Sequence, residues 1–256
     1  MKIGILTYHE GINHGAFFQA LFLQSYLASL GHEVSMVNYK NATHWLNEYK
    51  VFLISRSPVK IINNIRKILS FRRSQRLLNV TPKRLTTNPR RIPSITAEFD
   101  IVIVGSDVIW DYESTFTGVD PVYFGSGLCP KLRTISYAAS IGQSNVPMPP
   151  RLAEFLRVFS AIAVRDENTR RILRCAIGDG ITKVPDPTLL MPMAELPKQG
   201  QVDPLYLQSA RYLLVYAFFL PKDWREAIKK LAEKEGLEIF VIGYPHRSLG
   251  RDCSHF

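Results

Sequence analysis

The chain has 256 residues, 46% hydrophobic and 21% charged, with a formal charge of +10. That length can bury a substantial core and suits one large or two modest domains, and the balance excludes a disordered or fibrous chain. Cys129, Cys175 and Cys253 lie far apart with no CxxC pair, so neither a zinc site nor a disulfide framework is signalled, and no apolar run reaches the roughly 20 residues of a membrane-spanning helix. The expected compartment is a reducing cytoplasm.

In chain order, Lys2 to Thr7 predicts a first buried strand and Glu33 to Asn38 a second. Between them, Phe17, Phe18, Leu21, Phe22, Leu27 and Leu30 are spaced for one face of a helix over 15–30, and Gly31 stops it. This is a βαβ unit. Its first loop, Tyr8 to Gly15, lacks the GxGxxG spacing of a dinucleotide fingerprint. What it offers is Asn13, His14 and Gly15 at a helix N-terminus, whose free N–H groups suit an anion. The plainer alternative is a capping Asn and two surface histidines.

Thr43 to Asn79 predicts a mixed, mostly helical region, with Ile61, Ile62, Ile65, Ile68, Leu69 and Phe71 as an apolar stripe, after which Pro82, Pro89 and Pro93 break any helix. From Arg56 to Arg91 there are eleven Lys and Arg residues and no Asp or Glu, so the net charge is a local feature. A basic amphipathic helix can be a solvated face, a membrane-surface element or an electrostatic funnel. The segment 56–91 is therefore a candidate for peripheral contact with the inner face of the membrane. Nucleic acid is not expected, because aromatic residues do not interleave with the basic ones and no recognised module is present.

Ile101 to Val104 is a continuous β-branched run, expected in a strand buried on both faces, and it breaks at Gly105-Ser106-Asp107. In open α/β sheets ligands bind at such carboxyl ends; alternatively, Ser106 or Asp107 only caps a helix. Thr115 to Gly127 is turn-rich. Thr134 to Ala138 predicts another strand, running into Ala139-Ser140-Ile141-Gly142. A helix over 151–159, a strand over Ala161 to Val164, a helix capped by Asp166 and a strand over Thr182 to Val184 follow, the last ending at Pro185-Asp186-Pro187-Thr188. Asp107, Arg165 and Asp186 thus each follow a predicted parallel strand, and in a doubly wound sheet they fall along one edge. A structural ion pair between an Asp and the Arg is the competing explanation.

Pro192 to Pro204 predicts a linker, after which a second cycle begins: a strand over Tyr212 to Tyr216, a helix over Lys222 to Glu235 with Trp224, Ile228 and Leu231 on one face, and a strand over Glu238 to Val241 ending at Gly243. The expected organisation is an α/β chain with a doubly wound Rossmann-like domain over 1–191, a linker over 192–204 and the start of a second Rossmann-like domain over 205–256. So short a second domain cannot bury enough surface alone, so the chain is expected to be truncated and to have little activity as it stands.

The segments Asn13-His14-Gly15-Ala16 with Gln19, Val104-Gly105-Ser106-Asp107 with Trp110, Ser136-Tyr137-Ala138-Ala139-Ser140-Ile141-Gly142, Val164-Arg165-Asp166 and Asp186-Pro187-Thr188-Leu189-Leu190, in that order, resemble the polysaccharide pyruvyl transferase family over residues 1 to about 220. Val108 stands where the family usually has Gln, and His14 where Tyr is common. The resemblance implies a GT-B-like pair of domains facing a cleft. It also implies phosphoenolpyruvate as donor with no further cofactor or metal, a sugar or glycan acceptor, and pyruvate left bridging two sugar hydroxyls as a ketal of a cell-surface or exopolysaccharide. Such a site needs an acid, a base and cations for a carboxylate and a phosphate. Asp107 is the expected acid or base and Arg165 the expected cation. Asn13, His14, Gly15, Gly105, Ser106, Ser140, Gly142 and Asp186 are the expected substrate-binding positions. The family's distal Arg and His residues have no counterpart assigned here, and His246 and Arg247 are not mapped onto them. Two other functions fit the same architecture: a nucleotide-sugar glycosyltransferase of GT-B type, and a non-catalytic binding remnant.

Overall fold

Runs of β-branched residues become parallel strands where both faces are covered, and seven such strands form the larger sheet. A computed structural model describes residues 1–54, 58–196, 211–217, 219–242, 249 and 251–252. Their contacts divide into two compact units, Met1–Ile54 with Gln75–Pro197, and Ser55–Ser74 with Lys198–Phe256.

The strands of the first unit are β1 (Lys2–Leu6), β2 (Glu33–Tyr39), β3 (Val80–Thr86), β4 (Ile101–Val104), β5 (Arg133–Ala139), β6 (Phe159–Val164) and β7 (Ile181–Lys183). Every pairing is parallel, and the order is β3-β2-β1-β4-β5-β6-β7. The chain runs outward from β1 to β3, then returns to β4 on the other side of β1. The carboxyl ends of β1 and β4 therefore flank a topological switch point, where open α/β sheets bind ligands. The helices of this unit are α1 (His14–Ser29), α2 (Ala42–Leu53), α4 (Ile92–Thr96), α5 (Pro150–Leu156) and α6 (Glu167–Ile177), with α3 (Pro58–Ser74) falling in the second unit.

The core of the first unit gathers the inward residues of β1, β2 and β4, among them Leu6, Val37, Val102 and Val104, with Trp110, Tyr123 and Phe124. Trp110 is fully buried, donates its indole N–H to the Tyr123 carbonyl at 2.7 Å and stacks on Phe124. Gly4 sits in β1 because the Phe99 ring lies over it: a Cβ there would meet that ring at 2.8 Å.

Strand β3 was not expected from the sequence. It carries Pro82, Lys83 and Arg84, which read as a break, yet an edge strand tolerates proline and charge because one row of its backbone groups needs no partner. The apolar stripe expected on α3 is only partly covered. Phe71 is buried, but Ile62, Ile65 and Leu69 are exposed.

The second unit holds a three-stranded parallel sheet of order β10-β9-β8, made of β8 (Tyr212–Tyr216), β9 (Glu238–Ile242) and β10 (Arg251–Asp252), with α7 (Lys222–Glu235) between β8 and β9. Its small core is Val215, Leu220, Val241 and Leu249. Trp224 and Leu231, on the apolar face of α7, are exposed at 67% and 48%, whereas Ala232 is buried and Ile228 packs against the core. Most of the predicted linker, from residue 197 onward, and Gly243 lie outside the described residues. Among the described residues no helix is long and apolar enough to cross a membrane, and no group of His, Cys, Asp and Glu could hold a metal ion.

Candidate functional site

Four loops leave the carboxyl edge of the first sheet beside the switch point, after β4, β5, β6 and β7. After β4 the chain must turn sharply under the next strand. Gly105, at φ +123°, makes this turn possible, since a Cβ there would fall 2.2 Å from the Tyr137 carbonyl oxygen. Asp107 also has a left-handed backbone, φ 91°. Backbone bonds hold it there: Ser140 N–H donates to the Asp107 carbonyl at 3.0 Å, and Trp110 N–H to the Ser140 carbonyl at 3.0 Å. The Asp107 carboxylate accepts from its neighbour Val108 N–H through Oδ1 at 2.7 Å. Burial pushes its carboxyl above the usual range, the Val108 bond and the Arg165 charge pull it back, and the Asp186 carboxylate adds to the rise.

Ser140, at the end of β5, is fixed from the other side. Its hydroxyl donates to Asp166 Oδ2 at 2.6 Å and accepts from Gly142 N–H at 2.9 Å. Asp166 caps α6 by accepting Thr169 N–H at 2.7 Å, as the sequence predicted. Arg165, at the end of β6, donates its backbone N–H to the Ala139 carbonyl and pairs through Nη1 with Asp186 Oδ2 at 3.1 Å, both side chains 24% exposed. Asp186 collects three further donors: Gln19 Nε2 at 2.5 Å on the same oxygen, and Thr188 N–H at 3.0 Å and Thr188 hydroxyl at 2.8 Å on the other. Burial alone would raise this carboxyl, but the Thr188 and Gln19 bonds and the Arg165 charge hold it below the usual carboxylate range.

Asp107, Ser140, Arg165 and Asp186 thus lie along one strand edge. Gly142 joins them through Ser140, and Gly105 shapes the turn. Ser106 is fully buried; its carbonyl accepts from the Thr7 hydroxyl at 2.7 Å, and its own hydroxyl has no partner among the described residues. Asn13 is the cap of α1, accepting Gly15 N–H at 2.8 Å and Ala16 N–H at 3.3 Å, and His14 is exposed at the start of that helix. The capping alternative therefore describes Asn13 correctly, but of the two histidines His9 is buried, its ring reaching the Thr7 carbonyl and Asn38. Gly15 reaches the others through an open pocket of about 430 Å³ between α1 and the loop after β7, which it lines with Gln19 and Asp186.

Sequence reasoning missed what holds the first loop. Lys40 and Glu48 are both buried and ion-paired at 2.5 Å. Lys40 also donates to the Glu10 carbonyl at 3.3 Å, and Glu48 accepts Ile12 N–H through its other oxygen. The pair joins a strand end to a helix, a spacing that carries no periodic signal. Tyr8 was missed as well: it is buried near Asp107, Asp111 and Asp120, and burial followed by those charges drives its hydroxyl's pKa upward.

A family model described as polysaccharide pyruvyl transferase matches residues 13–253, nearly the whole chain. No curated protein matches it.

Proposed function

The chain belongs to the polysaccharide pyruvyl transferase family, and from that premise we propose that it moves pyruvate from phosphoenolpyruvate onto two hydroxyls of one sugar, as a ketal of a cell-surface or exopolysaccharide. The observation that supports this reading is a carboxyl raised by burial, Asp107 after β4, within the field of a guanidinium, Arg165 after β6, at the same sheet edge with β5 between them.

In the proposed reaction Asp107, protonated at the start, gives its proton to C3 of the donor, which becomes a methyl group while C2 turns electrophilic. A first sugar hydroxyl forms a bond to C2 and its proton returns to Asp107. The C2–O bond to phosphate breaks, and the second hydroxyl closes the ketal, its proton leaving with the phosphate. Arg165 uses one donor on Asp186; the rest of its fork suits the donor's carboxylate or phosphate oxygens. Asp186 orients that fork, and Ser140 keeps the β5 end in register beneath Asp107. No further cofactor is needed for this balance. We read the two units as Rossmann-like domains of GT-B type on the ground that both sheets are parallel, and we place the reaction in the cytoplasm.

Calorimetry tests the reading. Phosphoenolpyruvate should bind, and its affinity should fall with added salt and in Arg165→Ala. Tight binding of UDP-glucose with none of phosphoenolpyruvate would favour a nucleotide-sugar glycosyltransferase, and binding of neither would leave a non-catalytic remnant.

A membrane-surface role for the basic segment 56–91 draws support from α3, where Ile62, Ile65 and Leu69 are exposed at helical spacing beside Arg66. Sedimentation with phosphatidylglycerol vesicles should pull the protein down, and Leu69→Glu should release it. Equal recovery with neutral vesicles would contradict the electrostatic part.

A further inference from the structure

Helix α2 is turned inside out. Its polar residues face the protein: His44 and Glu48 are buried, His44 with its ring edge-on to Tyr8 and Phe116, and Glu48 paired with Lys40 and holding the Ile12 N–H. Its apolar residues face away. Trp45, Leu46 and Leu53 are exposed, Leu46 at 50%, and Tyr49 lies against Trp45 with ring centroids 5.2 Å apart. At 3.6 residues per turn these four fall in one stripe about 100° wide. A globular protein normally buries such a stripe, so one left outside, with aromatic residues in it, marks a surface that is covered in use.

The charge around the stripe identifies the cover. Glu48 is the only acid of α2 and points inward onto Lys40, so the one charge on the outward side is Lys50. Arg90 and Arg91 stand exposed just past the carboxyl end of β3, the neighbour of β2, from which α2 starts. The chain beyond α2 runs directly into the basic segment 56–91. Two copies of so cationic a face would repel each other. An anionic bilayer suits it: Trp and Tyr settle at the headgroup level, Leu enters the acyl boundary, and Lys and Arg meet the lipid phosphates. With 12 residues, or about 18 Å, α2 is too short to span a bilayer and suits lying in its surface.

We infer that α2 is an interfacial helix that lays Trp45, Leu46 and Leu53 into the surface of an anionic membrane. This bears on the strand-end site, because α2 lies over loops that leave the carboxyl ends of β1 and β4. Besides the contacts of His44 and Glu48, Asn47 donates through Nδ2 to the Thr115 and Phe116 carbonyls at 3.4 and 2.9 Å. Asp107 belongs to that same chain segment after β4, so docking through α2 sets the edge that carries Asp107 and Arg165 beside the bilayer. The inference does not depend on pyruvyl transfer. It is also separate from the membrane role of α3, which belongs to the second unit.

The test reads Trp45 directly. Trp110 is fully buried, so in Trp224→Phe the remaining exposed indole is Trp45. Phosphatidylglycerol vesicles should shift its emission to shorter wavelength, vesicles of brominated phosphatidylglycerol should quench it, and Trp45→Phe in the same background should lose both effects. Leu46→Glu should weaken sedimentation with phosphatidylglycerol vesicles about tenfold or more. The inference is overturned if vesicles leave Trp45 emission unmoved, or if Leu46→Glu binds them as the wild type does. It is equally overturned if the lipid-free protein is a dimer that Leu46→Glu makes monomeric, which would give the face to a second copy. Loss of vesicle binding in Leu46→Glu but not in Leu69→Glu would sink the α3 role and leave α2 standing; the reverse pattern would sink α2.

Discussion

The two halves of the first sheet's carboxyl edge use polar residues in opposite ways. Beside β1 and β2, the polar groups are buried and consume one another: Lys40 pairs with Glu48, Glu48 holds the Ile12 N–H, Asn38 donates to the Pro82 and Lys83 carbonyls, and Tyr39 donates to Asp120 at 2.6 Å. His44 is an exception, its Nδ1 without a partner among the described residues, between the rings of Tyr8 and Phe116, and its pKa pushed down to about 3 by burial and the Lys40 charge. Beside β4 to β7, capacity is left over among the described residues: the second oxygen of Asp107 and most of the Arg165 fork. Burial of a polar side chain therefore does not mark chemistry here. On the proposed reading, unused hydrogen-bonding capacity at a strand end does.

The largest test of that contrast lies on the closed side. Lys40→Met leaves Glu48 buried and unpaired and should lower unfolding stability by about 3 kcal/mol or more, read from urea denaturation. A loss below about 1 kcal/mol would mean the pair is not the staple of the first loop. On the open side, Asp107→Asn should cut turnover at least about a hundredfold without lowering stability at neutral pH. The sign follows from the raised pKa of Asp107: its contribution to stability is complete below the unfolded carboxyl pKa of about 4 and is lost as pH rises through the folded value. An amide, which neither ionises nor takes up a proton on folding, removes that loss at neutral pH, and the variant and wild type should converge in acid. A smaller effect of opposite sign is expected at Asp186. Because its folded pKa is depressed, its contribution is present above about pH 4 and disappears as pH falls through the folded value. Asp186→Asn should be less stable than the wild type at neutral pH and equal to it in strong acid, as urea melts across pH would show.

The sequence made the open side more legible than the closed one. Ile101 to Val104, Thr134 to Ala138 and Tyr212 to Tyr216 are strands because continuous β-branched or apolar runs have few other uses, and the strand-end rule then singled out Asp107, Arg165 and Asp186. Strand β3 was hidden by Pro82, Lys83 and Arg84, which an edge accepts. On α7 the apolar spacing groups Ile228 with Trp224 and Leu231, yet only Ile228 packs against the core, since periodicity names a face but not what covers it. Lys40 and Glu48 meet only because β2 turns into α2. Gln19 stood in the sequence as one residue of a resemblance; that its N–H2 group reaches Asp186, 167 positions away, is legible only in the fold.

The most direct measurement is phosphate release from phosphoenolpyruvate with the methyl glycosides of glucose, galactose and mannose as acceptors, run in D2O with the wild type and Asp107→Asn. The wild type should release phosphate at a low rate and form a ketal whose methyl group carries one deuterium at the former C3, while Asp107→Asn should do so at least about a hundredfold more slowly. Equal turnover by both proteins, or a ketal methyl with no deuterium, would contradict proton delivery from Asp107.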